Sequence, residues 1–441
     1  MAQVARCTDV GDYDILSAFP GRMDWEIGSG LFHALGNWEE GNMRKSIGLS
    51  CVFLLVVFFM SGCTTLGVRE VRGPEEALVP VRMGRCPRFL DDLDKASLKK
   101  AVQGSIQYFR SRPQDHHVIF GPDTYTVSQV GSSLETFLSL LDKARSPEDL
   151  DRLVSSRFHV YQSVGRGWLR RVLFTGYYEP IVEGSPTRDE DHPYPLYRRP
   201  DELVEVRLGM FNPRLEGQRI MGRLEGQKLV PFHTREEIDG EGVLEDRGYE
   251  IVWLTDRIDR YFLQIQGSGI VRLKEGIYLR ANYDAANGRP YRSIGKLLID
   301  RGEVTREEMS MQRIRSYLQD HPEKVDEVLF HDPSYTFFRI VERGPLGNIN
   351  IPLTTGRSIA TDSRLFPKGG LAFIITEKPV IDEKGEITEW KRFSRFVVNQ
   401  DTGGAIRGPA KVDLFWGEGE AAEISAGKMK QRGKLFFLME K

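Results

Sequence analysis

The sequence predicts a mainly β protein with helices, and three observations carry that prediction. Helical spacing of apolar residues is strongest between about residues 95 and 161. Near residue 170 the apolar period falls from near four to two, and β-branched and aromatic residues crowd between Gly and Pro. From residue 335 to the C-terminus the chain is dense in Gly and in alternating apolar residues.

In chain order, Leu66–Pro87 lacks a clear period and reads as a tether or first strand. Leu98, Val102, Ile106 and Phe109 recur at helical spacing, and Pro113 ends that stretch. Ser146-Pro147-Glu148-Asp149 is a capping start with Pro at the first helical position, and it leads into Leu150, Leu153, Val154, Phe158 and Tyr161 on one predicted face. Val172–Pro180 reads as strand, as do Ile251–Thr255, Tyr261–Leu273 (interrupted by Gly267-Ser268-Gly269) and Gly276–Ala281. Thr234–Glu237 starts a short capped helix. Helices return at Ile294–Arg301 and, after a Thr305–Glu308 capping box, through about Leu329. Asp382-Glu383-Lys384-Gly385 marks a hairpin between Leu371–Val380 and Ile387–Val398 within a run of mostly short strands.

The 441 residues, 40% hydrophobic and 28% charged, exclude a disordered or collagen-like chain. A net charge of −2 and the lack of long basic runs argue against a nucleic-acid partner. Cys7, Cys51, Cys63 and Cys86 form no CxxC pair, so neither a zinc site nor a disulfide framework is indicated. The eight His residues show no HExxH or HxH spacing, and no metal or cofactor is expected.

The N-terminus has its own pattern. Met43-Arg44-Lys45 precedes an almost wholly apolar run from Ile47 to Met60, which ends in Ser61-Gly62-Cys63-Thr64. A basic start, a short apolar middle and small residues before a cut describe an export signal, shorter than a membrane span needs. Cys63 after Ser-Gly has the form of a bacterial lipobox, which makes it the lipidated first residue of the mature chain. On this reading translation starts at Met43, and residues 1–42 are an upstream misreading. Without residues 1–62, 57 basic residues stand against 56 acidic ones.

For chemistry, the stretch from Asn399 to Gly417 stands out. Asp401 and Asp413 bracket a glycine-rich loop among small and apolar residues. A buried carboxyl is raised in pKa, which suits a general acid. Both residues could equally be turn formers beside glycine. Asp401-Thr402-Gly403 also spells the aspartic-protease triplet, but it occurs once, where a dyad needs two.

Several blocks together resemble the membrane-bound lytic transglycosylase A family of murein-degrading enzymes. They are Thr175-Gly176-Tyr177-Tyr178-Glu179-Pro180, Gln264-Ile265-Gln266-Gly267-Ser268-Gly269, Arg280-Ala281-Asn282-Tyr283 with Gly288-Arg289-Pro290-Tyr291, Ser334–Phe338, Arg357–Asp362 and the glycine loop with Ala426-Gly427. They cover most of 170–441; residues 64–150 match loosely, and Pro367-Lys368-Gly369 departs from an expected Pro-Leu-Gly.

The resemblance implies a double-psi β-barrel domain, formed by 63–172 and a three-aspartate region at 336–441. A smaller β-barrel is inserted at 173–335, and the substrate groove lies between the two. It implies Asp413 as the single acid/base with Asp401 and Asp362 supporting, Asp401 helping to keep Asp413 protonated. Thr175, Gly176, Tyr177, Gln266, Ser268 and Trp416 would bind peptidoglycan glycan strands, with Tyr178 as a further sugar face. The implied reaction cleaves the MurNAc–GlcNAc bond to leave 1,6-anhydro ends. Lipidated Cys63 followed by Thr64 would hold the enzyme on the periplasmic face of the outer membrane. Two alternatives stay open: an inverting glycoside hydrolase on a similar barrel, and a non-enzymatic wall-binding lipoprotein.

Overall fold

The computed structural model describes residues 71–441, so the Cys63 lipobox and the signal segment lie outside the described residues. Val68–Lys441 is one compact unit. Helix α1 (Pro74–Ala77) and strand β1 (Leu78–Pro80) open it, followed by α2 (Lys95–Arg110). The hairpin β2 (His117–Phe120) and β3 (Asp123–Thr126) leads to α3 (Val127–Lys143) and α4 (Pro147–Arg157). Each of these three longer helices starts on a side-chain cap, at Asp94, Thr126 and Ser146. Helix α3 goes beyond the sequence reading: its full Thr126–Gln129 capping box sits among Ser and Gly residues that mask the apolar stripe.

Phe158 and Tyr161 belong to strand β4 (Phe158–Ser163), not to the α4 face. The strand is paired on both sides, to β1 and to β19, which buries Phe158, Val160, Tyr161 and Ser163.

Strand β5 (Val172–Glu179) follows and passes into the inserted region. There β6 (Ile181–Ser185), β7 (Tyr194–Tyr197), β8 (Val204–Arg207), β9 (Arg219–Glu225), β10 (Lys228–Pro231) and β11 (Glu250–Leu254) precede helix α5 (Arg257–Gln266). The predicted strand from Tyr261 is therefore helical up to Gln266. Asp256 caps the N–H groups of Ile258 and Asp259, the middle of the helix from Arg260 to Gln264 is buried on all sides, and Gly267 at φ 78° ends it. The strand begins only at β12 (Ser268–Arg272), and β13 (Tyr278–Ala286) pairs with it. Helices α6 (Ile294–Asp300), α7 (Met311–Asp320) and α8 (Val325–Phe330) bury Ile294, Leu298, Tyr317 and Leu329 around Tyr261 and Phe262. Strand β14 (Thr336–Ile340) completes a six-stranded sheet in the order β14-β13-β12-β6-β11-β7, and a bridge between Arg198 and Phe338 joins its two edges.

The C-terminal region holds β15 (Ser358–Ala360), β16 (Leu371–Ile381), β17 (Ile387–Asp401), β18 (Lys411–Glu418), helix α9 (Glu420–Lys428) and β19 (Gln431–Glu440). Strands β16 and β17 form one extended hairpin around the expected Asp382–Gly385 turn, close to the expected bounds, whereas the ten-residue β19 departs from the expected short strands. The order β19-β16-β17-β15-β18-β5 closes through β5–β19 pairing into a six-stranded barrel, and β17–β15 and β18–β5 are its parallel pairs. Its core includes Phe174, Ile359, Phe373, Phe396, Val412, Leu414 and Phe437.

Two buried arginines tie the N-terminal segment to this barrel. Arg357 grips Asp91 at 2.6 and 2.9 Å, and Arg395 grips Asp92 at 2.8 and 2.9 Å.

Candidate active site

The pairing of the barrel strands puts four residues in one row. Asp401 on β17 is paired with Ala360 on β15, Ala360 with Asp413 on β18, and Asp413 with Thr175 on β5. Directly paired residues share a face of a sheet, so both carboxylates and the Thr175 hydroxyl point the same way. The backbones of Asp401 and Asp413 are two strand spacings apart, about 10 Å.

Thr175 donates its hydroxyl to Asp413 Oδ1. Asp401 Oδ1 accepts the N–H groups of Asn348 (3.0 Å) and Thr402 (2.9 Å). The Asn348 loop can come this close because Gly347 has no side chain; a Cβ there would stand 2.4 Å from the Gln400 carbonyl oxygen. Tyr177 lies two residues along from Thr175, its ring centroid 5.2 Å from that of Phe415. Its hydroxyl is buried, has no hydrogen bond of normal geometry and lies near Asp401 and Asp413.

Burial raises the pKa of both carboxyls. Asp401 is pushed up to about 6, by burial first and by the charge of Asp413 in addition, against the pull of its hydrogen bonds. Asp413 is raised by burial, against the Lys411 ammonium and the Thr175 hydroxyl, which hold it down. Burial is the largest cause of both shifts, and like-charge repulsion between the two carboxyls adds to it.

Asp362 behaves in the opposite way. Its carboxylate is fully buried, and burial pushes its pKa up. Arg364 at 2.7 and 2.9 Å and the N–H groups of Gly408 and Arg364 outweigh this and bring it below the ordinary value.

The other predicted residues are placed as follows. Gly176 and Trp416 lie on the opposite face of β5 and β18 from Asp413, as strand alternation requires. A Cβ on Gly176 would meet the Trp416 ring at 2.7 Å and the Ala426 backbone at 2.7 Å, so this glycine makes room for α9. Tyr178 is buried against Ala422 and Ala426 and offers no open ring face. Gln266 accepts the Tyr178 N–H at 3.1 Å and donates to Met311 Sδ at 3.4 Å, which ties α5 to β5. Ser268 is buried at the start of β12, opposite Asn282.

Two contributors were missed in the sequence. Lys411 shares the Asp413 face by the period of two, a signal that was there to read. Asn348 acts through its backbone N–H, which leaves no sequence signal. Glu179, at the far end of β5, is buried against Arg280 of the inserted sheet; burial, partly offset by Arg280, pushes it up to about 7. Among the described residues no group of three or more His, Cys, Asp or Glu is placed to hold a metal ion.

The chain is similar to known proteins in both sequence and fold. Residues 173–339 match the family model of the MltA specific insert domain, and residues 357–439 match that of the 3D domain. The chain is 31% identical over 311 residues to membrane-bound lytic murein transglycosylase A of Escherichia coli strain K12, covering 70% of this chain and 76% of that protein. It resembles the crystal structure of a membrane-bound lytic murein transglycosylase from Agrobacterium tumefaciens with a TM-score of 0.67 and 30% identity, covering 82% of this chain and 98% of that one. E. coli MltA crystallised with bound chitohexaose matches with a TM-score of 0.59 and 25% identity, covering 84% and 93%.

Proposed function

The chain belongs to the membrane-bound lytic murein transglycosylase A family, and on that premise we propose that it cleaves the β-1,4 bond between N-acetylmuramic acid and N-acetylglucosamine, leaving a 1,6-anhydro end. As a lytic transglycosylase, a lyase, it acts on peptidoglycan. The observation that carries the finer reading is Asp413, a carboxyl raised by burial, bonded to Thr175 and set in a row with a second raised acid.

In this reading Asp413 holds a proton at rest and gives it to the glycosidic oxygen as the bond to C1 opens. The C6 hydroxyl of the same muramic acid then attacks C1 and passes its proton to the Asp413 carboxylate. A 1,6-anhydro ring closes, and the enzyme returns to its starting state. The attack is intramolecular, so no water needs to be placed, and good orientation supplies an effective molarity of order 10⁵ M or more. Asp401, ionised above about pH 6, faces the positive charge that develops near C1. Thr175 orients Asp413, Tyr177 lines the wall beside it, and Asp362 braces the loop through Gly408. Gln266 and Ser268 border the groove from the inserted domain.

The proposed division is 63–172 and 336–441 for the catalytic barrel and 173–335 for the insert. The proposed anchor is lipid on Cys63, with Thr64 after it directing the protein to the periplasmic face of the outer membrane. Intact-mass measurement of the native protein tests this, and an unacylated N-terminus upstream of Cys63 overturns it.

Mass analysis of muropeptides released from purified sacculi tests the reaction. Anhydro ends are expected. Reducing ends would make it a hydrolase, and no product at all would leave a wall-binding protein.

A further inference from the structure

The turn between β4 and β5, residues 164–171, reads Val-Gly-Arg-Gly-Trp-Leu-Arg-Arg, and the function described above makes no use of it. Trp168 at its tip is 86% exposed, and Leu169 beside it 41%. The two side chains put an exposed apolar pair at the tip of one turn.

The turn has a defined shape. Arg166 and Arg171 exchange backbone hydrogen bonds of 2.8 and 3.1 Å, and Gly165, Gly167 and Arg170 hold positive φ values of 52°, 69° and 51°. A Cβ on Gly165 would lie 2.6 Å from the Arg170 carbonyl oxygen, so the turn depends on that glycine. Arg166, Arg170 and Arg171 flank the two apolar residues along the chain, and among the described residues none of the three has a carboxylate partner. The adjoining 405–411 loop, held by Ser163 Oγ donating to the Pro409 carbonyl at 2.7 Å, adds Arg407 and Lys411. The acids near this end include Glu75 and Glu76 on α1, where Glu76 accepts the Arg72 N–H at 3.3 Å, and Asp362, which is held by Arg364 and the Gly408 N–H.

The position of the turn matters as much as its composition. The Val164 N–H donates to the Ala77 carbonyl at 3.0 Å, and Leu78 pairs with Ser163. The chain therefore enters the fold directly beside this turn. Cys63 precedes Val71 by eight residues, which span at most about 28 Å. The inserted barrel leaves from the other end of β5, about 23 Å along the strand.

We propose that the 164–171 turn docks on an anionic phospholipid surface, with Trp168 and Leu169 entering the headgroup region and Arg166, Arg170 and Arg171 meeting lipid phosphates. Tryptophan with arginine is the composition that settles at a membrane–water interface. Docking there points the inserted barrel away from the bilayer and the groove toward the wall. The orientation rests on the Cys63 anchor proposed above, whereas the docking itself does not.

The test uses residues 64–441, which contain the whole compact unit and lack Cys63, so its outcome is independent of acylation. Co-sedimentation with vesicles of phosphatidylethanolamine and phosphatidylglycerol (3:1) is compared with pure phosphatidylcholine. Binding to the anionic vesicles is expected to weaken with salt and to fall about fivefold for each of Arg166→Gln and Arg171→Gln. Trp168→Ala is expected to lower it further, with release of muropeptides from sacculi unchanged. Equal binding to both vesicle types, or variants that bind as the parent does, overturns the proposal. Loss of sacculus turnover in Trp168→Ala with vesicle binding intact also overturns it, making the turn a glycan contact.

Discussion

Asp362 follows β15 by two residues, and Asp413 faces β15 from β18, yet their surroundings move the two carboxyls in opposite directions. Both lose water. Asp362 regains it as an ion pair and N–H donors, and stays a carboxylate well into acid. Asp413 receives one hydroxyl and a lysine two residues away, and keeps a raised pKa. Burial sets the cost of the charge, and the fixed donors around it decide whether that cost is met. Within one barrel the same residue type thus serves as a brace in one place and as a candidate proton carrier in the other.

The sharpest way to break this comparison is Asp413→Asn. The amide keeps the shape and the Thr175 contact but cannot carry a proton. Turnover of sacculi is expected to fall at least about 10²-fold, with an unchanged thermal melt and retained glycan binding. Near-normal turnover would end Asp413's role.

Asp362→Asn probes the other side. It removes the charge opposite Arg364 and turns an amide toward donors that need an acceptor, at a cost of about 1–3 kcal/mol in urea unfolding at pH 7. The Asp362 carboxyl is lowered in the fold, so its contribution is present above the unfolded pKa of about 3.9 and is lost as pH falls through the lower folded value. The gap between parent and variant should therefore close in acid. A loss of turnover as deep as that of Asp413→Asn with no change in stability would erase the distinction between the two sites.

The smallest expected effect is that of Asp401→Asn, which should slow turnover by about tenfold rather than abolish it. Asp401 is raised to about 6, so the folded state holds its proton where the unfolded chain has lost it. Its stabilisation is present below about pH 3.9 and is lost as pH rises through about 6. Thermal melts from pH 4 to 7 should fall less steeply in the variant than in the parent. Identical slopes would mean that Asp401 does not carry the raised pKa.

Much of the local structure was legible in the sequence. Ser146-Pro147 starts α4, Asp382–Gly385 turns the β16–β17 hairpin, and Thr175–Glu179 lies in a strand, because caps, turns and alternation are encoded within a few residues. The 261–266 segment was misread because Tyr261, Phe262 and Leu263 suit either element, and only the Asp256 cap and packing against α6 and α7 decide for helix. Trp416 was expected among the glycan-binding residues, but it lies three residues on from Asp413, and an odd spacing in a strand sends it to the other face.

By itself the sequence determined the local elements, the two acids around the glycine loop and the blocks that mark the family. Only the tertiary structure decided that Thr175, 238 residues away in the chain, bonds to Asp413. It also decided that a loop backbone at Asn348 reaches Asp401, and that Gly176 serves α9. Such contacts follow from barrel closure, in which the register of each strand depends on its neighbours all the way around. The proton affinities of Asp362, Asp401 and Asp413 were decided there too, because a carboxyl's pKa depends on the water it loses and the donors it meets, and distant segments supply many of those.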